Sequence, residues 1–290
     1  MTQIRPSGDI AKGHLAEPVD PPGGSRSAWT AELAFAVDTA AAAGAILMDH
    51  YEQVERIDYK SARDVVTEAD HLSEELVIAA IRARFPDDAI LAEESGAHAA
   101  RQARPVNGRL WVIDPLDGTV NYANGLPVFC VSIGFVVDGR PMAGAVRDPT
   151  RDETFAATSD GPATLNGRVI RASTKDKLSD CVISLSLAGR SVANRARAIR
   201  REIRIARSMG SASLALAYVG NGRFDAFVQE SGMSAWDVAA AGLVAERAGA
   251  TVTAFGGSAW YDPARPTRTV GTIAALAAFH PRLLALANQR

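Results

Sequence analysis

The sequence predicts an α+β protein, and three features carry that prediction. Residues 28–51 repeat apolar or small side chains at helical spacing. Residues 128–165 break into short alternating runs separated by hairpin signals. Residues 181–290 then mix strand-like and helix-like segments again. The middle group reads as an antiparallel meander, because Asp138-Gly139 and Asn166-Gly167 are strong short signals for a tight β-turn.

Taken in order, residues 1–27 are rich in Pro, Gly and charge and lack periodicity, which predicts a mobile tail. Its Gly8 to His14 stretch imitates a phosphate-binding loop but lacks the Lys-Ser/Thr that such a loop requires. Trp29, Leu33, Ala36, Val37, Ala40, Gly44, Leu47 and Tyr51 fall on one face of an amphipathic helix. Residues 55–63 are polar and read as a loop or the start of a hairpin. A second helix is expected over 71–85, with Asp70 where an N-cap belongs and Pro86 as its stop. Residues 89–91 form a short strand followed by Glu93-Glu94. Residues 110–113 form a buried strand that must turn at Asp114-Pro115-Leu116-Asp117-Gly118.

Beyond the meander, 181–187 reads as a strand. Residues 194–201 read as a basic surface helix whose arginines form a solvated face or line a substrate entrance. Residues 207–212 lead into a helix through Tyr218, 223–228 into a strand, and 235–248 into a long helix. Strands at 251–254 and 270–274 and a helix at 280–288 complete the chain, with no internal repeat. A chain of 290 residues can form one large domain or two. The expected division is an N-terminal α+β domain over 28–180 and a C-terminal α/β domain over 181–290.

Composition narrows the function. A net charge of −2 gives no electrostatic case for nucleic acid or an anionic membrane. Cys130 and Cys181 sit in apolar runs and read as buried thiols in a reducing compartment. No stretch reaches the roughly eighteen successive apolar residues that suggest a membrane span, and no signal core opens the chain, so the cytoplasm is expected. His14, His50, His71, His98 and His280 show no paired spacing for zinc. There is neither a Gly-x-Ser-x-Gly elbow nor a nucleophilic Asp-x-Asp.

The chemistry concentrates at residues 111–127. Asp114 and Asp117 lie three residues apart at the end of a buried strand, where like charges repel and desolvation disfavours ionisation. A bound divalent cation resolves that conflict, and oxygen ligands favour Mg²⁺. Gly118 and Thr119 follow at once, offering close backbone approach and free amides to a phosphate. A bare Asp-x-x-Asp-Gly is equally compatible with an Asx turn, and an isolated Glu-Glu with a solvated loop. Trp236-Asp237 in a helix's first turn is commonplace.

The longer string, Trp111 to Thr119 with Asn121, Tyr122, Gly125 and Pro127, resembles the signature of the inositol monophosphatase family. Gly210-Ser211-Ala212, Glu230 and Trp236-Asp237 resemble that family's second signature. The resemblance implies a layered α-β-α-β-α sandwich and a Mg²⁺-dependent, lithium-sensitive phosphatase of small phosphorylated substrates, using two or three ions and working as a homodimer. It implies metal binding by Glu93, Asp114, the Leu116 carbonyl, Asp117 and Asp237, leaving Glu94 outside the ligand set. Ala92 replaces the usual glycine before Glu93. Asp70, in Asp64-Val-Val-Thr67-x-x-Asp70, and Thr119 would orient the attacking water. Gly118 and Thr119 would hold phosphate, and Ser211, Ala212, Glu230 and Asp237 would meet the substrate. Lys60 matches a loop lysine of the family but lies one residue nearer the aspartate. Within the family, Asn121-Tyr122 and Glu230 resemble the inositol branch more than the histidinol-phosphate, fructose-1,6-bisphosphate or 3'-phosphoadenosine 5'-phosphate branches. Some bacterial relatives associate with the transcription and RNA machinery, so the basic stretch 195–207 could alternatively serve an adaptor.

Overall fold

Helix α1, Thr30–His50, realises the first periodic segment in a computed structural model that describes residues 27–52, 57–61, 64–95, 108–189, 192–262 and 270–289. The expected tail over 1–26, with its loop-like glycines and His14, lies outside the described residues, as do Gly96, His98 and the Lys60 side chain. Ala36, Ala40, Ala43 and Leu47 of α1 share one core with Trp111, Ile113, Val131 and Ala145. By length and hydropathy α1 could cross a membrane, but this face packs as a core helix does.

A two-stranded hairpin, β1 (Ile57–Ser61) with β2 (Asp64–Thr67), leads into α2, Glu68–Arg84. The helix therefore begins before His71, and Asp70 is not its N-cap. Thr67 holds that position, and the Asp70 carboxylate accepts the Thr67 N–H at 2.8 Å and its hydroxyl at 2.6 Å. This reciprocal capping box, three residues wide, moves the helix start forward by one turn.

The seven-stranded sheet runs in chain order through β3 (Ala89–Ala92), β4 (Arg109–Asp117), β5 (Cys130–Val137), β6 (Arg140–Asp148), β7 (Glu153–Thr158), β8 (Thr164–Leu165) and β9 (Arg168–Val169). Only β3 and β4 pair in parallel; the rest is the predicted antiparallel meander. Asp138 and Gly139 (φ 48° and 75°) and Asn166 and Gly167 (φ 49° and 76°) take the left-handed pairings that two-residue hairpin turns require.

The second sheet contains β10 (Val182–Ser186), β11 (Ile205–Arg207), β12 (Ala226–Met233), β13 (Thr251–Ala254) and β14 (Val270–Ala275), in the order β11-β10-β12-β14-β13. The first three are parallel and the last two antiparallel. The remaining helices are α3 (Thr119–Ala123), α4 (Val192–Glu202), α5 (Ala212–Gly220), α6 (Ala235–Arg247) and α7 (His280–Ala287). Leu214, Val238, Ala241 and Val244 of α5 and α6 lie in one core with Val146 and Phe155 of the first sheet and Phe227 and Ala274 of the second. Ile199 of α4 and Leu283 of α7 close the far side of the second sheet against Ile183 and Val228. With α1 and α2 on the opposite outside, the layers run α-β-α-β-α, the α+β sandwich that the sequence predicts.

One expectation needs correction. The α4 arginines are not a uniformly solvated face: Arg195 is buried and pairs with Glu230 at 2.8 Å, a partner 35 residues away that local pattern could not reveal.

The middle layer depends on two glycines. A Cβ at Gly134 would stand 2.7 Å from the Ala239 Cβ, and one at Gly144 would stand 2.7 Å from the Ala240 Cα. Helix α6 thus rests directly on β5 and β6, and small residues on both sides are required. Gly144→Val should destabilise the protein by about 1–3 kcal/mol, read by urea unfolding, because the displaced atom is backbone and cannot rotate away.

Candidate active site

Asp114 and Asp117 converge because β4 is irregular. Asp114 pairs with Ser132 and Asp117 with Cys130, so three steps along β4 match two along β5. Residues three apart on a regular strand point to opposite faces; the extra residue of a β-bulge restores both to one side. Pro115 fits there because it has no N–H to lose. The Ser73 hydroxyl on α2 fixes the bulge by donating to the Pro115 carbonyl at 2.9 Å, and the Leu116 N–H donates to Asp114 Oδ1 at 3.1 Å. The plain Asx-turn geometry and the carboxylate cluster therefore coexist.

Asp237 arrives from the second half of the chain. It is the third residue of α6, where its carboxylate accepts the N–H of the N-cap Ser234. Asp114, Asp117 and Asp237 are all buried, and one carboxylate oxygen from each lies within 4.8 Å of the others. Burial pushes Asp114 well above the usual carboxylate range, and Glu93, Asp117 and Asp237 add to the rise. Burial also pushes Asp237 well up, with Asp117 adding to it.

Asp117 is treated differently. Burial raises it too, but hydrogen bonds from the start of α5 oppose the rise. The Ser211 hydroxyl donates to it at 2.6 Å, the Ala212 N–H at 3.1 Å and the Ser213 N–H at 2.6 Å. The carboxylate sits on a helix N-terminus, where free amides and the helix dipole favour negative charge. The Cys130 thiol adds a contact at 3.7 Å, and the Ser213 hydroxyl donates to the Asp237 carbonyl at 3.0 Å.

A cavity of about 430 Å³ opens over the cluster, lined by Glu93, Leu116, Gly118, Thr119 and Trp236 together with the three aspartates. The Glu93 backbone is pinned by its N–H to the Ile113 carbonyl at 3.2 Å. Gly118 has φ 99° and caps α3; a Cβ there would stand 2.9 Å from the Val128 carbonyl. The Thr119 hydroxyl donates to the Leu116 carbonyl at 3.0 Å and to Asp70 Oδ1 at 3.2 Å, which ties the buried Asp70 to a residue of the cavity lining. Asn121 and Tyr122 brace the loop: Asn121 donates to the Val128 and Met209 carbonyls at 2.7 and 2.8 Å, and the Tyr122 hydroxyl to Leu47 at 2.7 Å.

Other predicted residues have different neighbours. Ser211 and Ala212 commit a hydroxyl and an amide to Asp117, while lining a second cavity beside the first. Both Glu230 carboxylate oxygens accept from Arg195, and one also accepts the Ala188 N–H. Glu74 was missed. Its buried carboxylate accepts the Glu94 and Ser95 amides at 2.8 Å each, holding the loop that carries Glu93. Its signal was an acid on the buried stripe of α2, beside Ser73 and Val77.

The description of the inositol monophosphatase family matches residues 29–290. The chain belongs to the inositol monophosphatase family. It is 36% identical over 230 residues to the fructose-1,6-bisphosphatase/inositol-1-monophosphatase of Thermotoga maritima, covering 78% of this chain and 85% of that one. It is 38% identical over 239 residues to the Nus factor SuhB of Pseudomonas aeruginosa, covering 78% and 86%. The solved Thermotoga maritima IMPase superposes with a TM-score of 0.79 at 32% identity, covering 89% of this chain and 97% of that one. Membership of the inositol monophosphatase family supports a phosphatase enzyme, and the buried acidic cluster fits the metal dependence of that family: all three side chains offer hard oxygen donors, and among the described residues the cavity lining holds no cationic side chain.

The raised carboxylates set a pH dependence. A carboxyl whose pKa is higher folded than unfolded binds more protons in the native state, so stability rises as pH falls through the raised value. Chelator-treated protein should therefore become more stable on acidification from neutrality, until ordinary carboxylates protonate near pH ~4. Asp114→Asn should stabilise the chelated protein at pH 7 by about 1 kcal/mol or more, read by thermal unfolding.

Proposed function

We infer that this family member hydrolyses phosphate monoesters with Mg²⁺, and that its substrate is myo-inositol 1-phosphate or a similar sugar or polyol phosphate. The observation that supports this best is the meeting of Asp114, Asp117 and Asp237 beside Gly118 and Thr119 in one cavity. Glu93, Asp114, the Leu116 carbonyl, Asp117 and Asp237 would hold two or three Mg²⁺ ions. Once bound, such ions neutralise phosphoryl oxygens and lower the pKa of water.

The chain's own groups do the rest. Asp70 and Thr119, hydrogen-bonded to each other beside the cavity, would orient an attacking water. The Gly118 and Thr119 amides, at the start of α3 and in the lining of the same cavity, would hold the phosphate. Ser211 and Ala212 bound the space for the leaving alcohol. Positioning and charge neutralisation dominate phosphoryl transfer, so a rigid frame of this kind is what the reaction needs. The two buried free thiols agree with a cytoplasmic home, and the family resemblance implies a homodimer.

Histidinol phosphate, fructose 1,6-bisphosphate and 3'-phosphoadenosine 5'-phosphate are the alternative substrates within the family. A second reading, an adaptor in transcription, is favoured by the relatives named Nus factor SuhB and by the exposed Arg197, Arg200, Arg201 and Arg207. A pull-down against RNA polymerase separates the two readings.

Assayed against the four substrates with Mg²⁺, the protein should release phosphate fastest from myo-inositol 1-phosphate, with inhibition by Li⁺. Asp237→Asn should lower kcat by about 10²–10³-fold, the scale for removing one electrostatic group from a preorganised site. Retention of most activity in that variant would remove the carboxylate cluster from the mechanism.

A further inference from the structure

Helix α2 braces the loops around the carboxylate cavity with three side chains. Asp70, Ser73 and Glu74 stand at the i, i+3 and i+4 spacing that puts residues on one side of a helix, and all three are buried. Asp70 meets the Thr119 hydroxyl at 3.2 Å, and the Ser73 hydroxyl donates to the Pro115 carbonyl at 2.9 Å. The third side chain reaches a different loop. Glu74 Oε2 accepts the Glu94 N–H and Oε1 the Ser95 N–H, both at 2.8 Å. Two successive amides form a concavity suited to an anion, and here the anion is a side chain of the protein itself.

Glu93 sits between two tethers. It follows the end of β3 in a turn. On one side its own N–H reaches the Ile113 carbonyl of β4 at 3.2 Å; on the other, the next two amides end on Glu74. Asp114, Asp117 and Asp237, by contrast, stand on a strand and a helix, and their oxygens already lie within 4.8 Å of one another. Glu93 is outside that trio. It lines the same cavity, lies within hydrogen-bond reach of Asp114 and acts on Asp237 through its charge. The acids of the cavity are thus of two kinds, three set by regular elements and one set by a turn. A carboxylate buried as Glu74 is costly unless its oxygens are satisfied, so the contact constrains α2 as much as it constrains the loop.

We propose that Glu74 is a positioning residue, holding Glu93 ready for the metal ion that takes Glu93 as a ligand and leaving the ion gripped by Asp114, Asp117 and Asp237 unaffected. This proposal rests on the metal-dependent phosphatase reading above. Among the described residues that line the cavity Glu74 is not one; it acts by fixing the backbone just beyond Glu93. A ligand ordered beforehand loses less conformational freedom when the ion arrives. Outer partners that orient a metal's ligands are commonly worth about 10- to 100-fold in affinity. The effect falls on one class of ion, a selectivity that a general loosening of the fold does not produce.

The test counts bound Mn²⁺, which favours the same oxygen ligands as Mg²⁺, in the chelator-treated full-length protein through loss of the free ion's electron paramagnetic resonance signal. The parent should bind two or three ions in separable steps. Glu74→Gln keeps one acceptor oxygen and loses the other; it should raise the Kd of one step by about 10-fold and leave another within about two-fold. In a Glu93→Gln background the same change should add less than about two-fold, because the group it positions is gone. Ile81→Val deletes a buried methyl group two turns further along α2, which lowers the melting temperature while both Glu74 bonds stay in place. It should leave every step within about two-fold. Equal weakening of all steps, weakening of the same size in Ile81→Val, unchanged binding in Glu74→Gln, or an additive effect in the Glu93→Gln background would each overturn the proposal. Should Glu74→Gln not fold, Glu74→Asp keeps the charge but withdraws it by one methylene; it should weaken the same step by about three-fold, and unchanged binding would again overturn the role. A parent that binds fewer than two ions would overturn the metal reading and the proposal with it, whereas normal binding without a selective loss would overturn the role of Glu74 alone.

Discussion

Three carboxylates crowded together away from water are the constraint around which this molecule is arranged. Asp114, Asp117 and Asp237 present oxygens within 4.8 Å of one another. At an effective dielectric near 20, a pair of unit charges at that separation repels by about 3 kcal/mol. A chain left to relax would turn one of them outward. It does not, because each is held by a separate device: a β-bulge for Asp114, the start of α5 for Asp117, and a capping box for Asp237. Gly134 and Gly144 then let α6 approach the sheet closely enough for the third acid to reach the other two.

The three devices differ electrically. Asp117 receives the Ser211 hydroxyl and two α5 amides, donors that favour its ionised form. Asp114 and Asp237 receive less support and are pushed well up by burial. The cluster therefore holds one carboxylate well supplied with donors and two with fewer, and a hard cation would supply what those two lack.

Much of this was legible in the sequence, and the gaps have physical causes. The buried strand up to Ile113 follows from its apolar run, but Pro115 and Gly118 predicted a turn at Asp114, where β4 instead runs on through a bulge to Asp117. The meander follows from Asp138-Gly139 and Asn166-Gly167, whose observed backbone is left-handed. By pleat alone residues 114 and 117 face apart, and the bulge that reunites them has no local marker beyond Pro115. Asp70 was read as an N-cap because Asp is a good one, yet Thr67 is another candidate three residues earlier. Thr67-x-x-Asp70 and Ser234-x-x-Asp237 are in fact the same pattern. Arg195 looked solvated because its partner, Glu230, is distant in sequence. Gly134 and Gly144 looked like ordinary strand glycines, since their need arises only when α6 lands on them.

That repeated pattern explains why the site lies where it does. Asp70 and Asp237 are both third residues of helices, Asp117 docks on the start of another, and Gly118 caps a fourth. Four helix N-termini thus converge on one region, each carrying roughly half a positive charge. Carboxylates can gather there at lower cost than elsewhere in the interior, and a phosphate entering the cavity would meet the same positive ends. A region that tolerated acids through cationic side chains would repel metal; one that tolerates them through amides leaves the oxygens' outer lone pairs free to coordinate it. The layered fold, by aiming helix starts from both halves of the chain at one crevice, makes a place whose donors suit a cation and an anion together.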